Sequence, residues 1–531
     1  MQAARSGAPA ATTGGRGTGT EREAVGRARR VIRWRPASRA APRGDGLLAI
    51  VAVLYCLTQL ILVVPRLGHG LGWDESVYVS QYDPRDPAVF FSAPRSRGTS
   101  LLTAPLVAVT DSTVVLRIAL AVLSSAALYA AFRVWRPLVG ARTAALAALL
   151  FAGLWITVLS GAMAMPNLWV AFGSVGAVGW FLRADGKGAD RGRDLWLAGC
   201  VAAVALFRAP DAVWLVLPLA VAALLLRERR RTLPFLAAGL AAGLAQWVVE
   251  AYVRWGGVPE RLRVSSATEG DMGLHLNLGT AWRSVNGPLL CRPCTAGSPT
   301  DPGLALWWLV LPLLAAAAVY VALHERRIAG PRGEKRHIAG RRVPATLVPV
   351  ACAAALAVPY LLLIGYSAPR FLLPSYALLS LPVAVLMRRM RRKPALAVAA
   401  VALVALQLTS QFVVLNRQVD STGHTVARYV AAARGLRAMG LTPPCLVTGP
   451  RALPIGYAAG CASAQTKGNN RSTTHDAFLR RAAQRPTAVL AAPGDRPPRY
   501  ALDWTPYELP GTGGWTAWKA PVPYRLQLLN P

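Results

Sequence analysis

Residues 47–83 read "LLAIVAVLYCLTQLILVVPRLGHGLGWDESVYVSQYD". The run over 47–65 is apolar and long enough to cross a bilayer, and within ten residues of its end come two adjacent acids, Asp74 and Glu75. Taken alone, the acids fit the start of a short surface helix, where carboxylates meet free amides and suit the helix dipole. The remaining sequence decides whether they carry more than that.

The chain has 531 residues, of which 54% are hydrophobic and 16% charged. So few charges point to a membrane protein rather than a soluble one. The net charge of +34 comes from short basic bursts between apolar runs, with no basic face interleaved with aromatics, which excludes nucleic acid as the partner and names the lipid bilayer. Residues 1–45 lack apolar periodicity and are expected to form a disordered basic cytoplasmic tail.

Apolar runs at roughly 47–65, 112–134, 142–160, 166–183, 195–208, 211–226, 233–253, 303–323, 344–364, 371–387 and 394–415 give about eleven transmembrane helices, two of them short. Basic stretches such as "RVWRPLVGAR", "RERRR" and "MRRMRRK" fall on alternate loops, so that side is expected to be cytoplasmic. The other side then holds loops 66–111 and 254–302, the turn "GYSAPR" and everything from 416 to 531. In that last region "HTVARYVAAARGLRAMG" and "THDAFLRRAAQ" read as helices, and "CLVTG" and "TAVLAA" as buried strands. The expected fold is therefore mainly α. It is a polytopic membrane domain over 46–415 followed by a small extracytoplasmic α/β domain, in a multi-pass protein with a cytoplasmic N-terminus.

Cys56, Cys200 and Cys352 lie within spans; Cys291, Cys294, Cys445 and Cys461 lie outside. In an oxidising compartment the simplest pairings are Cys291–Cys294 and Cys445–Cys461, although "CRPC" also fits a redox motif or half a zinc site. No second CxxC completes such a site, and the histidines are scattered.

Three features favour a chemical role for Asp74 and Glu75: their place at the membrane surface, the aromatic and basic segment that follows, and Arg85, Arg95 and Arg97 within it, which suit a phosphate. At this point the sequence resembles the GT-C membrane glycosyltransferases, in which the first span leads to an outward loop carrying an Asp-Glu pair. That superfamily includes protein O-mannosyltransferases, aminoarabinose transferases and actinobacterial polyprenyl-phosphate mannosyl- and arabinosyltransferases. "SLLTAPL" occupies the place of the segment leading back to the membrane, and "VLRIALAVLSSAALYAAFRVWRPLVGARTAALAALLFAG" looks like the second and third spans, with Arg117 near a span start. "GYSAPRFLLPSYALLSLPVA" is similar to the late Arg-Phe segment, so the resemblance covers roughly 47–390. Two departures stand out. Asn167 in "MAMPNLW" takes a place that many relatives give to an acid, and "YSAP" replaces the His-Lys-Glu-like element of the eukaryotic branch.

The resemblance implies transfer of a mannose- or arabinose-like sugar from a polyprenyl-phosphate donor to a hydroxyl of a glycan or protein acceptor, with inversion. Asp74 would be the base, its pKa raised by partial desolvation, with Glu75 orienting it, binding acceptor or holding a divalent metal, the one cofactor that the family allows. Arg370, then Arg95 and Arg97, would bind the donor phosphate. Arg208 and Asp211, where two short spans meet, are accessory candidates or a plain ion pair, and Arg117 is accessory or snorkels to the surface. A lipid-linked glycan flippase and a non-catalytic scaffold of the same fold are the alternatives.

Overall fold

In the computed structural model the described residues are 45–184, 191–292, 294, 301–328, 334–391, 393–468 and 470–521. The expected basic tail falls outside them except for its last residue. The first span is α1 (Gly46–Leu67). A short helix α2 (Trp73–Val79) carries the acid pair, and α3 (Gly98–Val107) leads back to α4 (Thr113–Arg133). The run expected as one span over 142–160 is instead two helices, α5 (Ala141–Ala152) and α6 (Trp155–Gly161), bent by 82°. At the break Gly153 packs closely against the Leu408 side chain, and the buried Trp155 amide donates to Gln411 Oε1 at 3.2 Å.

Next come α7 (Asn167–Arg183), α8 (Arg191–Phe207) and α9 (Ala209–Leu225), each of 17 residues. At 1.5 Å per residue each is about 25 Å long, short of the ~30 Å hydrocarbon core. The larger spans α10 (Leu233–Trp255), α12 (Pro302–Ile328), α13 (Glu334–Val358), α14 (Leu373–Met390) and α15 (Pro394–Ala438) follow, with α11 (Val258–Glu269) between the first two. All eleven apolar runs are helical, but among the described residues only seven helices, or eight counting the bent pair, are long and apolar enough to cross a membrane. The expected figure of eleven thus reduces to seven or eight by length. The short helices pack tightly: α8 presents Ala198 and Ala202 backbone to Gly239 and Gly243 of α10, where a β-carbon would clash.

The bundle core is α14. In its membrane window 78% of residues are buried, against 17% for the peripheral α12. Arg370 enters just before this most rigidly held helix, so its backbone position is fixed by the packing behind it.

The boundary expected at 415/416 does not exist as a break. Helix α15 runs unbroken for 45 residues, so the expected helix "HTVARYVAAARGLRAMG" is its continuation. Its middle is fastened to the end of α1. Arg66 donates to Asn416 Oδ1 (2.7 Å) and Asp420 Oδ1 (3.1 Å), and Gly423 lies against the Arg66 carbonyl too closely for any side chain. Beyond it the chain forms β1 (Leu446–Thr448), α16 (Ala452–Ala459), β2 (Ala462–Ala464), α17 (His475–Ala482), β3 (Thr487–Ala491), β4 (Thr505–Glu508) and β5 (Thr516–Lys519). The sheet order is β2-β1-β3-β5-β4, parallel over the first three strands and antiparallel at β5 and β4. Pro506 sits in the exposed edge strand β4, where its missing N–H is tolerated. Cys445–Cys461 and Cys291–Cys294 are both disulfides. Tyr457 of α16 donates to Asp83 Oδ2 at 2.6 Å, tying the sheet region to the loop after α2.

Candidate active site

Helix α2 begins at Gly72 in extended backbone, and Glu75 reaches back to accept from the Gly72 amide at 2.9 Å, closing the first turn. Asp74 and Glu75 then diverge by about a quarter turn of helix. Glu75, 1% exposed, turns into the protein. Its two oxygens accept from Arg117 Nη1 (3.0 Å) and Nη2 (3.1 Å), and Oε1 also accepts from the Ala164 amide (3.1 Å). Arg117, equally buried, donates onward to Gly70 O (2.7 Å) and Ala162 O (3.2 Å). Arg117 therefore does not snorkel: with Glu75 it is a strut between α4, the start of α2 and the 162–166 turn that follows the bent helix pair. Every oxygen of Glu75 is engaged, which leaves it no lone pair for orienting Asp74 or holding a metal.

Asp74 turns the other way, into a cavity of about 570 Å³. Its Oδ1 accepts from Arg95 Nη2 at 2.6 Å and its Oδ2 from Arg370 Nη2 at 2.8 Å. Burial pushes the Asp74 carboxyl up, but Arg95, Arg370 and the more distant Arg208 outweigh it and hold the pKa below the usual carboxylate value. This reverses the expected direction, and the cause is charge: two guanidinium groups, that of Arg370 brought from 296 residues away, touch the carboxylate.

Each cation has its own support. Arg95 Nε donates to Ser92 Oγ (3.1 Å), and its guanidinium lies 5.1 Å from the Tyr78 ring centre. Its loop is pinned by Arg261 of α11, fully buried, which donates to Ala93 O and Arg95 O, both at 3.0 Å. Burial pulls Arg261 down to about 10, so it stays charged at neutral pH. Arg370 Nη1 donates to Leu289 O at 2.8 Å. The Leu289 loop is anchored in turn by Cys291–Cys294 and by the Cys291 amide on Ser367 O (2.8 Å). Arg208, at the corner between α8 and α9, faces the same cavity against the rings of Tyr360 (5.4 Å) and Phe371 (5.6 Å). Behind it Asp211 Oδ2 lies 3.2 Å from Arg208 Nε, and Asp211 Oδ1 accepts from Tyr360 Oη at 2.5 Å.

Of the residues singled out in the sequence, Asp74, Arg95, Arg208 and Arg370 share the cavity, and Glu75 and Arg117 support its edge. Asp211 is the counter-ion behind Arg208. Arg97 does not belong to the site. It points to Glu250 (2.5 Å) and Gln81 (2.8 Å) and lies 4.0 Å over the Phe91 ring, because Glu250 gathers Arg97, Arg254 and Arg261 into a separate cluster. Reading the sequence missed Glu269, which accepts from Tyr366 Oη, and Arg292, which donates to Thr268 O (2.8 Å) and covers the Tyr366 ring. Glu269 lies in loop 254–302 outside any motif, Arg292 sits between the cysteines of "CRPC", which drew the attention instead, and Tyr366 stood in the quoted "GYSAPR" without being weighed. Among the described residues no three of His, Cys, Asp or Glu converge, and both adjacent carboxylates are taken up by arginines, so the residues present do not fit a divalent cation.

No protein-family model matches the chain, and no curated protein matches it by sequence. Solved structures do. ArnT from Cupriavidus metallidurans bound to undecaprenyl phosphate superposes with a TM-score of 0.55 at 16% identity, over 93% of this chain and 100% of that one. The chain has the GT-C fold. The apo form of the same enzyme gives 0.59 at 15% identity, covering 89% of this chain and 97% of ArnT. The oligosaccharyltransferase of Archaeoglobus fulgidus in its apo form gives 0.53 at 12% identity, over 84% of this chain and 69% of its own. At such low identity the likeness speaks for the fold, and the chemistry rests on the residues of this cavity.

Proposed function

We propose that this protein is a glycosyltransferase that moves a sugar from a polyprenyl phosphate to an acceptor hydroxyl on the extracytoplasmic face, with inversion at the anomeric carbon. The observation that carries the reading is the carboxylate of Asp74 clasped by two arginines inside a cavity at the end of the bundle where α1 finishes and α14 begins. Undecaprenyl phosphate, bound in the similar ArnT structure, is a lipid of the required class. The alternation of basic loops supports an outward-facing cavity by the positive-inside rule.

A donor phosphodiester entering the cavity competes with Asp74 for Arg95 and Arg370, and Arg208 adds a third positive charge. Guanidinium groups suit this task because their paired N–H donors match phosphate oxygens. As the arginines turn to phosphate, Asp74 loses the partners that depress its pKa while its burial stays, so its basicity rises only when donor is present. Asp74 then accepts the proton of the acceptor hydroxyl as that oxygen attacks the anomeric carbon. The bond from that carbon to the phosphate oxygen breaks on the opposite face, and polyprenyl phosphate leaves with its negative charge met by the arginines. One displacement gives inversion. The sugar class, mannose- or arabinose-like, and the acceptor, glycan or protein, are part of the proposal.

The test is transfer of labelled sugar from polyprenyl-phosphate donor in membranes. Asp74→Asn is expected to abolish transfer at wild-type protein level, and Arg370→Ala to lower it by about 10²–10³. Full activity of Asp74→Asn, or loss of transfer only because the protein disappears, refutes the assignment.

A further inference from the structure

The floor of the cavity carries a polar group that neither the fold nor the phosphate reading uses. Asn167 is the first residue of α7, directly after the 162–166 turn held by Glu75 and Arg117. It lines the cavity and is 0% exposed, yet neither Oδ1 nor Nδ2 has a hydrogen-bond partner. Among the described buried residues that line the cavity, it alone leaves a whole polar head group unpaired. Burying one amide donor or acceptor without a partner costs about 1–3 kcal/mol, so such a group calls for a ligand that satisfies it.

The chemistry of that ligand follows from the surroundings. An amide donates and accepts at once, which suits neighbouring hydroxyls, one accepting from Nδ2 and the other donating to Oδ1. Met163, Met165 and Phe207 on the same wall suit the C–H face of a ring. The carboxylates at the cavity have other roles: Glu75 is held by Arg117, Glu269 accepts from Tyr366, and Asp74 is the proposed base, so an uncharged ring suits the amide best.

We infer that Asn167 is the sugar-binding contact of this cavity, holding an uncharged ring with adjacent hydroxyls while Arg95, Arg208 and Arg370 hold the phosphate. The inference rests on the donor reading above and goes beyond it, because it separates recognition of the sugar from recognition of the lipid phosphate.

The test uses the full chain in nanodiscs and three probes: decaprenyl phosphate, decaprenyl phosphomannose and decaprenyl phosphoarabinose. The wild type is expected to bind one sugar-bearing lipid about tenfold more tightly than decaprenyl phosphate, as two hydrogen bonds allow. Asn167→Leu, of similar shape, is expected to erase that difference, leave decaprenyl phosphate affinity within about twofold, and keep or raise the thermal midpoint of the ligand-free protein. The midpoint holds because the substitution removes an unpaired amide. The inference is overturned if the variant still prefers the sugar-bearing lipid, if its ligand-free midpoint falls, or if the wild type shows no preference. Absence of binding by decaprenyl phosphate itself overturns the phosphate reading and the sugar contact with it.

Discussion

Glu75 is adjacent to the proposed base and yet is assigned no chemistry, which makes its replacement decisive. In Glu75→Gln the Arg117 guanidinium, 1% exposed, loses the carboxylate that met it at 3.0 and 3.1 Å. Breaking a buried pair by removing one partner costs about 3–5 kcal/mol, two to four orders of magnitude in the folded-to-unfolded ratio and a large share of a typical protein's stability. The Gly70 and Ala162 carbonyls remain for Arg117, and Gln retains one acceptor, so the lower half of that range is expected. The assay is the fraction of detergent-purified protein that stays monodisperse after heating, run with Glu75→Leu/Arg117→Met as the companion. The double variant leaves no charge unpaired, although the Gly72 and Ala164 amides lose their acceptor, and should be at least as stable as Glu75→Gln. If Glu75→Gln keeps wild-type stability but loses transfer, Glu75 acts on substrate and the division of labour between the two acids is wrong.

The pH profile follows from the clasp on Asp74. Its pKa in the free protein is depressed, so the stability it contributes is present above the ordinary carboxylate range near 4 and is lost as pH falls through its lower folded value. The acid limb of kcat/KM, which reports the free enzyme, should accordingly lie below that of kcat, which reports the donor complex in which the arginines have turned to phosphate. Coincident limbs would show that donor leaves the clasp intact. Transfer should also survive chelation by EDTA, since the arginines take the place of a cation at the leaving phosphate; activity lost to EDTA and restored by Mg²⁺ or Mn²⁺ would refute this.

Long apolar runs made the helices legible, because a 19-residue run such as 47–65 leaves the backbone no alternative in lipid. They did show α8 and α9 to be short, but not the bend at Gly153, which depends on close packing between helices rather than on composition. Of the strands, "CLVTG" and "TAVLAA" were readable as apolar runs, whereas β4 and β5 are exposed or mixed and β2 is only Ala462–Ala464. Asp74 and Arg95 were found from charge beside a membrane end, and Arg370 from the resemblance of its Arg-Phe segment. Arg95 and Arg97 were indistinguishable in sequence, and Glu250, 153 residues beyond Arg97, separates them in space. Asn167 was visible only as a departure; its unpaired amide is a property of the folded cavity floor.

The unbroken helix α15 changes what can be cut apart. Tyr429, Ala432, Ala433 and Leu436 of that helix form the hydrophobic core under the C-terminal sheet together with Val447, Ile455, Leu490 and Ala517. A fragment beginning after the helix would lose one wall of its core and expose the apolar faces of β1 and β3. The same rod, pinned at Arg66, carries Tyr429 to the cavity rim, and the loop after β1 brings Arg451 there. The sheet is thus tied to the cavity rim through α15, and in the proposed reaction an acceptor would pass Tyr429 and Arg451 on its way to Asp74.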